Sequence, residues 1–494
     1  MSNTEHRRQG VSRRGALAAG GGIAASLTVG RIPVAEATPD SASADVVVIG
    51  AGISGLTAAR RLIQSGVSSV LVLEANDRVG GRTLDLEVGN GVVTEGGGEW
   101  VGPGQDRVLG LIDELGLSTF NTYVDGKSVY LRNGNRQTFT GMTPPLGPDA
   151  LADFVQLQTR LEQMASTVPA EAPWTAPDAL TWDGMTLGGW LDSNSLSAEA
   201  EWLFTLGFTI IFAEDPHETS FLRALHAIGS SGGIGHMFNT TGGSQESRIA
   251  GGPQLISLRM AEQLGKRVVL GSPVTEIGQQ NEGVIVKSAR AEVRCRRVIV
   301  AMAPADAERI RFTPELPVRR AALQRKWRNG TESKLFAVYE KPFWREEGFS
   351  GQAFTDLPIT PYVADNSPPD GSVGILVTFM GTAGSGDGLK WSDALLDDPA
   401  ARRTAFLDDL TKLFGPKAAQ PVRYLEKSWL NERWIEGCVS TRAPGTLTRY
   451  TDAARAPVGR IHWAGTETGI LYEGYMEGAV SAGERAAEEV RELL

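Results

Sequence analysis

From Asp45 onward, short apolar runs alternate with stretches of helical periodicity. Val46 to Ile49 is a β-branched run without polar alternation, the pattern of a strand buried on both faces, and Val70 to Leu73 repeats it. Between them Leu56, Ala59, Leu62 and Ile63 recur at helical spacing. They predict a helix from Ser54 to about Ser65, stopped by Gly66. Val108, Leu111, Ile112 and Leu115 predict a second amphipathic helix, closed by Gly116. Asp85 to Gly98 reads as a strand pair, and Tyr123 to Phe139 as a hairpin turning at Asn133-Gly134. Residues 149–230 are helical in pattern, with Pro169 to Pro177 as a linker. Within them Trp202, Phe204, Phe208, Ile210, Ile211 and Phe212 are core candidates, of which one or two line a pocket. Strands return at Val268 to Leu270, Ser272 to Ile277, Arg297 to Ala301, Ser333 to Tyr339 and Gly374 to Met380, and a last helix passes through Gly483 to Ala487.

The first strand runs straight into Gly50, Gly52 and Gly55, spaced G-x-G-x-x-G, with Ile53 and Ser54 opening the helix. Gly50 permits the tight turn, Gly52 lets a pyrophosphate approach the backbone, and Gly55 lets the helix pack close to the sheet. The second strand ends at Glu74, nineteen residues after Gly55, where a carboxylate can accept hydrogen bonds from an adenosine ribose; Ala75 follows it. Strand, glycine turn, helix, strand and acid together point to a bound dinucleotide.

Composition narrows the picture further. Ser12-Arg13-Arg14-Gly-Ala-Leu17, a weakly apolar stretch from about Ala16 to Val29 and Ala35-Glu36-Ala37 fit a twin-arginine export signal cleaved after Ala37. The apolar stretch is too short and glycine-rich to span a bilayer. About 457 residues follow, enough for two or three domains. The formal charge of the whole chain is −10, and removing residues 1–37 takes it to about −13. Such a surface argues against nucleic acid or anionic membrane as partner. Cys295 and Cys438 are the two cysteines, and no spacing fits zinc or an iron–sulfur cluster, so no metal is expected.

Several segments carry a closer likeness. They are Arg78-Val-Gly-Gly81-Arg82; Gly96-Gly97-Gly98-Glu99-Trp100; Val101 to Gly116; Thr240 to Glu246; Lys341-Pro-Phe-Trp-Arg345; Gly465-Thr-Glu467; and Gly474-Tyr475-Met476-Glu-Gly-Ala479-Val480. The chain from about Asp45 to Leu494 thereby resembles the flavin monoamine oxidase family. The resemblance implies an α/β protein: a Rossmann-like, GR2-type FAD-binding domain (residues 45–120, 236–303 and 424–494) interleaved with an α+β substrate domain (121–235 and 304–423).

By the same resemblance FAD lies with adenine near Val274 and Glu74, and pyrophosphate over Gly50 to Ser54, Gly81 and Arg82. Its ring system lies between Trp429, Gly97 to Trp100 and Tyr475-Met476, with Gly465, Glu467 and Ala479 at the ribityl–phosphate end. Cys438 stands where some relatives form a thioether to the flavin; a covalent link is left open. Phe238 and Gln245 would line the substrate cavity. Tyr475 would be one wall of an aromatic cage, with Val439 where the other wall belongs and Tyr472 as a replacement. Tyr475 and Trp429 are thus candidate catalytic residues. Arg309 is the third, standing where the family's lysine, tied to O₂ reactivity, is expected.

The reaction implied is oxidative deamination of a small primary or secondary amine to an imine and then an aldehyde or ketone, with O₂ reduced to H₂O₂. If Arg309 replaces the lysine, a redox carrier protein becomes the alternative acceptor. An L-amino-acid oxidase is a further alternative and needs a pocket arginine, Arg223 or Arg248. A flavin-bound redox sensor without turnover is the reading from another class. An exported homodimer, periplasmic or extracellular and without a membrane anchor, completes the expectation.

Overall fold

The strand Ala42–Ile49 is the hub of an eight-stranded sheet. It pairs in parallel with Val70–Leu73 on one side and Glu292–Ala301 on the other. Val268–Val269 extends the first edge in parallel, and Ile461–Ala464 also lies parallel to Glu292–Ala301. The remaining strands, Val274–Gln280 and Gly283–Ser288, form an antiparallel meander onto Glu292–Ala301, and Arg311–Thr313 closes the far edge. Val46, Val47 and Val48 are fully buried, as an apolar run covered on both faces must be. This is a computed structural model, which describes residues 42–330, 332–381, 395 and 397–494. The export signal expected at residues 1–37 lies outside the described residues.

The helix Ile53–Gln64 follows the glycine turn and packs against the last helix, Met476–Arg491. Gly50 has φ +102°, and a Cβ there would lie 2.7 Å from Ala301 O. A Cβ on Gly55 would lie 2.0 Å from Gly50 O, so the close helix–sheet approach requires glycine.

A second, seven-stranded sheet runs in the order Arg423–Ser428, Glu332–Tyr339, Gly374–Gly381, Tyr362–Asp365, Phe349–Thr355, Lys127–Arg132, Asn135–Phe139. The hairpin turn at Asn133-Gly134 has positive φ at both residues, as a two-residue turn of this hand demands. Two domain limits implied by the resemblance shift. Arg311–Thr313 belongs to the first sheet, beyond 303, and Arg423–Ser428 pairs with Glu332–Tyr339 in the second sheet, beyond 423. Both are short edge strands with polar residues, so apolar periodicity gives no sign of their partners.

The helices Pro148–Ala165, Ala179–Asp183, Leu187–Asn194, Ala198–Phe212 and Phe221–Ser230 make a helical layer. Their shared core holds Phe204, Phe208, Phe212 and Phe221, with the Phe208 and Phe212 rings stacked at 5.7 Å. Trp202 instead takes the Arg132 guanidinium over its ring at 4.2 Å. Among the described residues no helix is long and apolar enough to cross a membrane, and no group of His, Cys, Asp and Glu could hold a metal.

Candidate active site

One continuous cavity of about 660 Å³ is lined by both sheets and the helical layer. At one part of it stand Gly50, Gly52, Ile53 and Ser54. Gly52 caps the helix without a side-chain bond, so the first-turn amides and the positive end of the helix are free to meet an anion. Glu74 and Ala75, at the end of the second strand, line the same region with Val274. Glu74 accepts from the backbone N–H of Ala51 at 2.6 Å and of Asn76 at 2.8 Å, which fixes its carboxylate while burial pushes its pKa up.

Gly81 and Arg82 come from the loop after Glu74. Gly465, Met476 and Ala479 come from the other end of the chain. The two ends are tied where Gly465 N–H donates to Ser54 Oγ at 2.8 Å. Of the residues expected to touch the cofactor, Gly55 and Glu467 stand back from the cavity. Gly55 sets the helix packing. Glu467 is buried, pairs with Arg82 at 2.6 Å and accepts from Ser440 Oγ at 3.0 Å, so it positions Arg82.

The rest of the cavity is lined by Gly97, Gly98, Glu99 and Trp100, by Trp429 and by Tyr475. Trp429 Nε1 donates to Gly96 O at 2.9 Å, which locks the indole against this loop. Phe204, Ile210, Ile211, Phe212, Phe238 and Gln245 supply a mostly apolar wall, and Gln245 Nε2 donates to Met237 O at 3.1 Å. Cys438 lines the cavity as a free thiol, pushed up to about 11 by burial and the neighbouring Glu332, so it is protonated at neutral pH.

Two expectations are corrected here. Tyr472 does not line the cavity: its hydroxyl meets His236 Nε2 at 3.1 Å, and its ring backs Tyr475 edge-on at 5.6 Å. Tyr475 and Val439 both line the cavity, so of the residues expected in the cage only Tyr475 supplies an aromatic ring. Val439 has φ +60°, a strained backbone for a β-branched residue.

Arg309 is the second correction. It reaches the cavity margin, but its guanidinium is taken by Arg433 O at 2.6 Å and by Glu436. The amine that faces the cavity is Lys334, in the fully buried strand Glu332–Tyr339. Its Nζ donates to Gly97 O at 2.8 Å, Glu95 O at 3.1 Å and Glu99 Oε2 at 2.7 Å. Lys334 was legible as an anomaly: a lysine inside an apolar strand is buried only when paired. Of the two pocket arginines considered, Arg248 is committed to Glu95, at 2.7 Å, and to Ser367 O, away from the cavity; Arg223 lines it. Glu332, Glu473 and Ala227 also line it and carry no motif.

A helix N-terminus, a carboxylate on a strand end and a glycine loop thus share one cavity with an apolar, aromatic chamber, an arrangement that fits FAD. Comparison with known proteins agrees. The family profile for flavin containing amine oxidoreductases matches residues 53–491. Amine oxidase [flavin-containing] A of Equus caballus is 38% identical over 456 residues, covering 91% of this chain and 85% of that one. A solved structure of wild-type putrescine oxidase bound to putrescine superposes with a TM-score of 0.86 at 35% identity, covering 92% of this chain and all of that one. Cyclohexylamine oxidase from Brevibacterium oxydans IH-35A superposes with a TM-score of 0.85 at 34% identity, over 91% of this chain and 99% of that one. With sequence, fold and cavity in agreement over this length, the chain belongs to the flavin-containing amine oxidoreductase family and is an FAD-dependent enzyme.

Proposed function

We propose that the enzyme oxidises a small primary or secondary amine with an apolar part to its imine, which water hydrolyses to an aldehyde or ketone, with O₂ as electron acceptor and H₂O₂ as product. The observation that carries this reading is the joining, in one cavity, of the dinucleotide cradle to the chamber of Tyr475, Trp429, Phe238 and Lys334. When bound, FAD supplies the two-electron acceptor for the amine's α C–H. The chamber's apolar wall desolvates an entering ammonium and favours its neutral form. Burial pushes Tyr475 up to about 12, so the phenol stays neutral and offers a ring face rather than a counter-charge. Tyr475 orients the substrate, and Trp429, locked to Gly96 O, fixes the wall behind the flavin.

The carrier-protein alternative rested on the absence of a lysine at the site. Lys334 removes that motive and supports O₂ as acceptor. The named substrates of the two oxidases of like fold, putrescine and cyclohexylamine, support a small amine. The Ser12 to Leu17 motif supports export by the twin-arginine route; accumulation of the full-length chain in the cytoplasm of both export-competent and export-deficient cells would remove that reading.

The test is anaerobic mixing of the holoenzyme with a panel of amines, followed by air. Bleaching of the flavin band by an amine and its rapid return with H₂O₂ is expected. Bleaching that returns only with an artificial acceptor would overturn the oxidase reading.

A further inference from the structure

Behind Tyr475 the cavity wall is ionic. Arg223, in the helix Phe221–Ser230, and Glu473, two residues before Tyr475, both line the cavity and are almost wholly buried. Arg442 lies behind them, also buried. Glu473 Oε1 accepts from Arg442 Nη2 at 2.6 Å, and stands 3.7 Å from Arg223 Nη2, beyond hydrogen-bond reach. His226 faces Glu473 at 3.9 Å, and its Nε2 donates to Ala170 O at 2.9 Å. Burial pushes this imidazole down to about 4, so it is neutral at pH 7. Glu473 is held below its ordinary value by the two arginines in spite of burial.

The charge count does not close. One carboxylate faces two permanent guanidinium cations, and Nε and Nη1 of both arginines have no hydrogen-bond partner. An uncompensated buried cation with orphan donors is costly, and native structures retain such a group where something else completes it. Arg223 is the cation that reaches the cavity. Two small side chains, Val439 and Ala227, also line the cavity, Ala227 one helical turn after Arg223.

We propose that this wall is the seat of a substrate carboxylate: the enzyme oxidises amines that carry a carboxyl group, the amine held at Tyr475 and Val439 and the carboxylate received by Arg223. The inference rests on the amine-oxidation reading and narrows its substrate to amino acids, α or longer. An arginine pairs a carboxylate with several parallel N–H donors, which a neutral or cationic substrate end cannot satisfy. The opposite choice, a second ammonium on Glu473, would add a cation to a cluster already in positive excess.

The experiment compares kcat/KM of the holoenzyme for matched compounds: D- and L-phenylalanine against phenethylamine, and 4-aminobutyrate against butylamine and 1,4-diaminobutane. In at least one series the carboxylate-bearing member is expected to win by roughly tenfold or more, as a site built on hydrogen bonds rejects an analogue lacking them. Benzoate, which cannot be oxidised as an amine, is expected to perturb the flavin absorbance saturably. Arg223→Met should abolish both effects and Arg223→Lys should restore part of them, each with flavin content unchanged. Phenethylamine, butylamine or the diamine outrunning their carboxylate partners, with no benzoate perturbation, would overturn the proposal and leave amine oxidation standing. If no compound reduces the flavin, amine oxidation itself falls, and the benzoate titration with its dependence on Arg223 decides the carboxylate seat alone.

Discussion

Arg82 Nη1 and Glu467 Oε1 meet at 2.6 Å, joining the loop after the second strand to the short turn that precedes the last helix. The Glu467 side chain has no solvent exposure, whereas Arg82 lines the cavity. Breaking a buried pair from one side costs about 3–5 kcal/mol. Glu467→Ala is therefore expected to lower Tm by several degrees and to lose flavin on desalting, with Glu467→Gln intermediate. Absorbance of the desalted protein and a thermal melt check this; unchanged flavin content in Glu467→Ala would refute the positioning role.

Lys334 and Arg309 are separated by a single comparison. Lys334→Met removes a cation that donates to two carbonyls of the cavity loop, and slower flavin reoxidation by roughly ten- to a hundredfold is expected. Arg309→Ala loses only Arg433 O and Glu436 at the margin, and reoxidation should stay within about twofold. Stopped-flow mixing of the reduced enzyme with O₂ measures both.

Glu332 supplies a pH signature. Burial pushes its carboxyl up to about 8, with Lys334 opposing. Between the ordinary carboxylate range, near 4.5, and 8, the folded chain holds a proton that the unfolded chain has lost, so this group's contribution weakens as pH rises. Glu332→Gln should match the wild type near pH 4.5 and gain in relative Tm toward pH 8. Melts across that window test it; a gap that widens toward acid would contradict the assignment.

Gly55→Ala and Gly110→Ala should behave oppositely. A Cβ at 55 falls 2.0 Å from Gly50 O, whereas at 110 nothing lies within 4 Å. The first should abolish soluble, yellow protein. The second, on the exposed face of the helix Asp106–Glu114, should be neutral or stabilising by up to about 1 kcal/mol. Yield, colour and Tm of the two variants decide.

Val439→Phe adds a second aromatic ring to the cavity wall and is expected to close off Arg223. Plain arylalkylamines should gain on their amino-acid counterparts by roughly tenfold, since a filled pocket denies the carboxylate its donors. An unchanged ratio would show that Val439 does not govern access to Arg223.

The cofactor half was legible because its signals are local. Gly50 to Gly55, Glu74 and Arg82 fall within one stretch of 33 residues, and backbone geometry restricts what can stand there. The chamber was less legible because it is assembled from distant positions. Lys334 and Arg309 are 25 positions apart, and only the fold shows that Lys334 meets the Gly97 loop of the cavity while Arg309 is tied to Arg433 and Glu436 at its margin. Tyr472 and Tyr475 sit in one turn yet face different surroundings, and the positive φ of Tyr472 carries no residue-type signal. Glu473 reads as a surface acid until Arg223 and Arg442 arrive beside it from other parts of the chain.

Gly465 donating to Ser54 joins residues from opposite ends of the chain, and a Cβ on Gly483 would fall 2.3 Å from Ser54 O, so the last helix seats against the first. The cradle that opens the sequence is thus finished only by its final segment. During synthesis the glycine turn emerges early and waits, incomplete, until Ile461–Ala464 and Met476–Arg491 have left the ribosome. Flavin uptake is therefore expected to await Met476–Arg491, and a chain truncated before that helix is expected to be without colour, however well Gly50 to Gly55 are preserved.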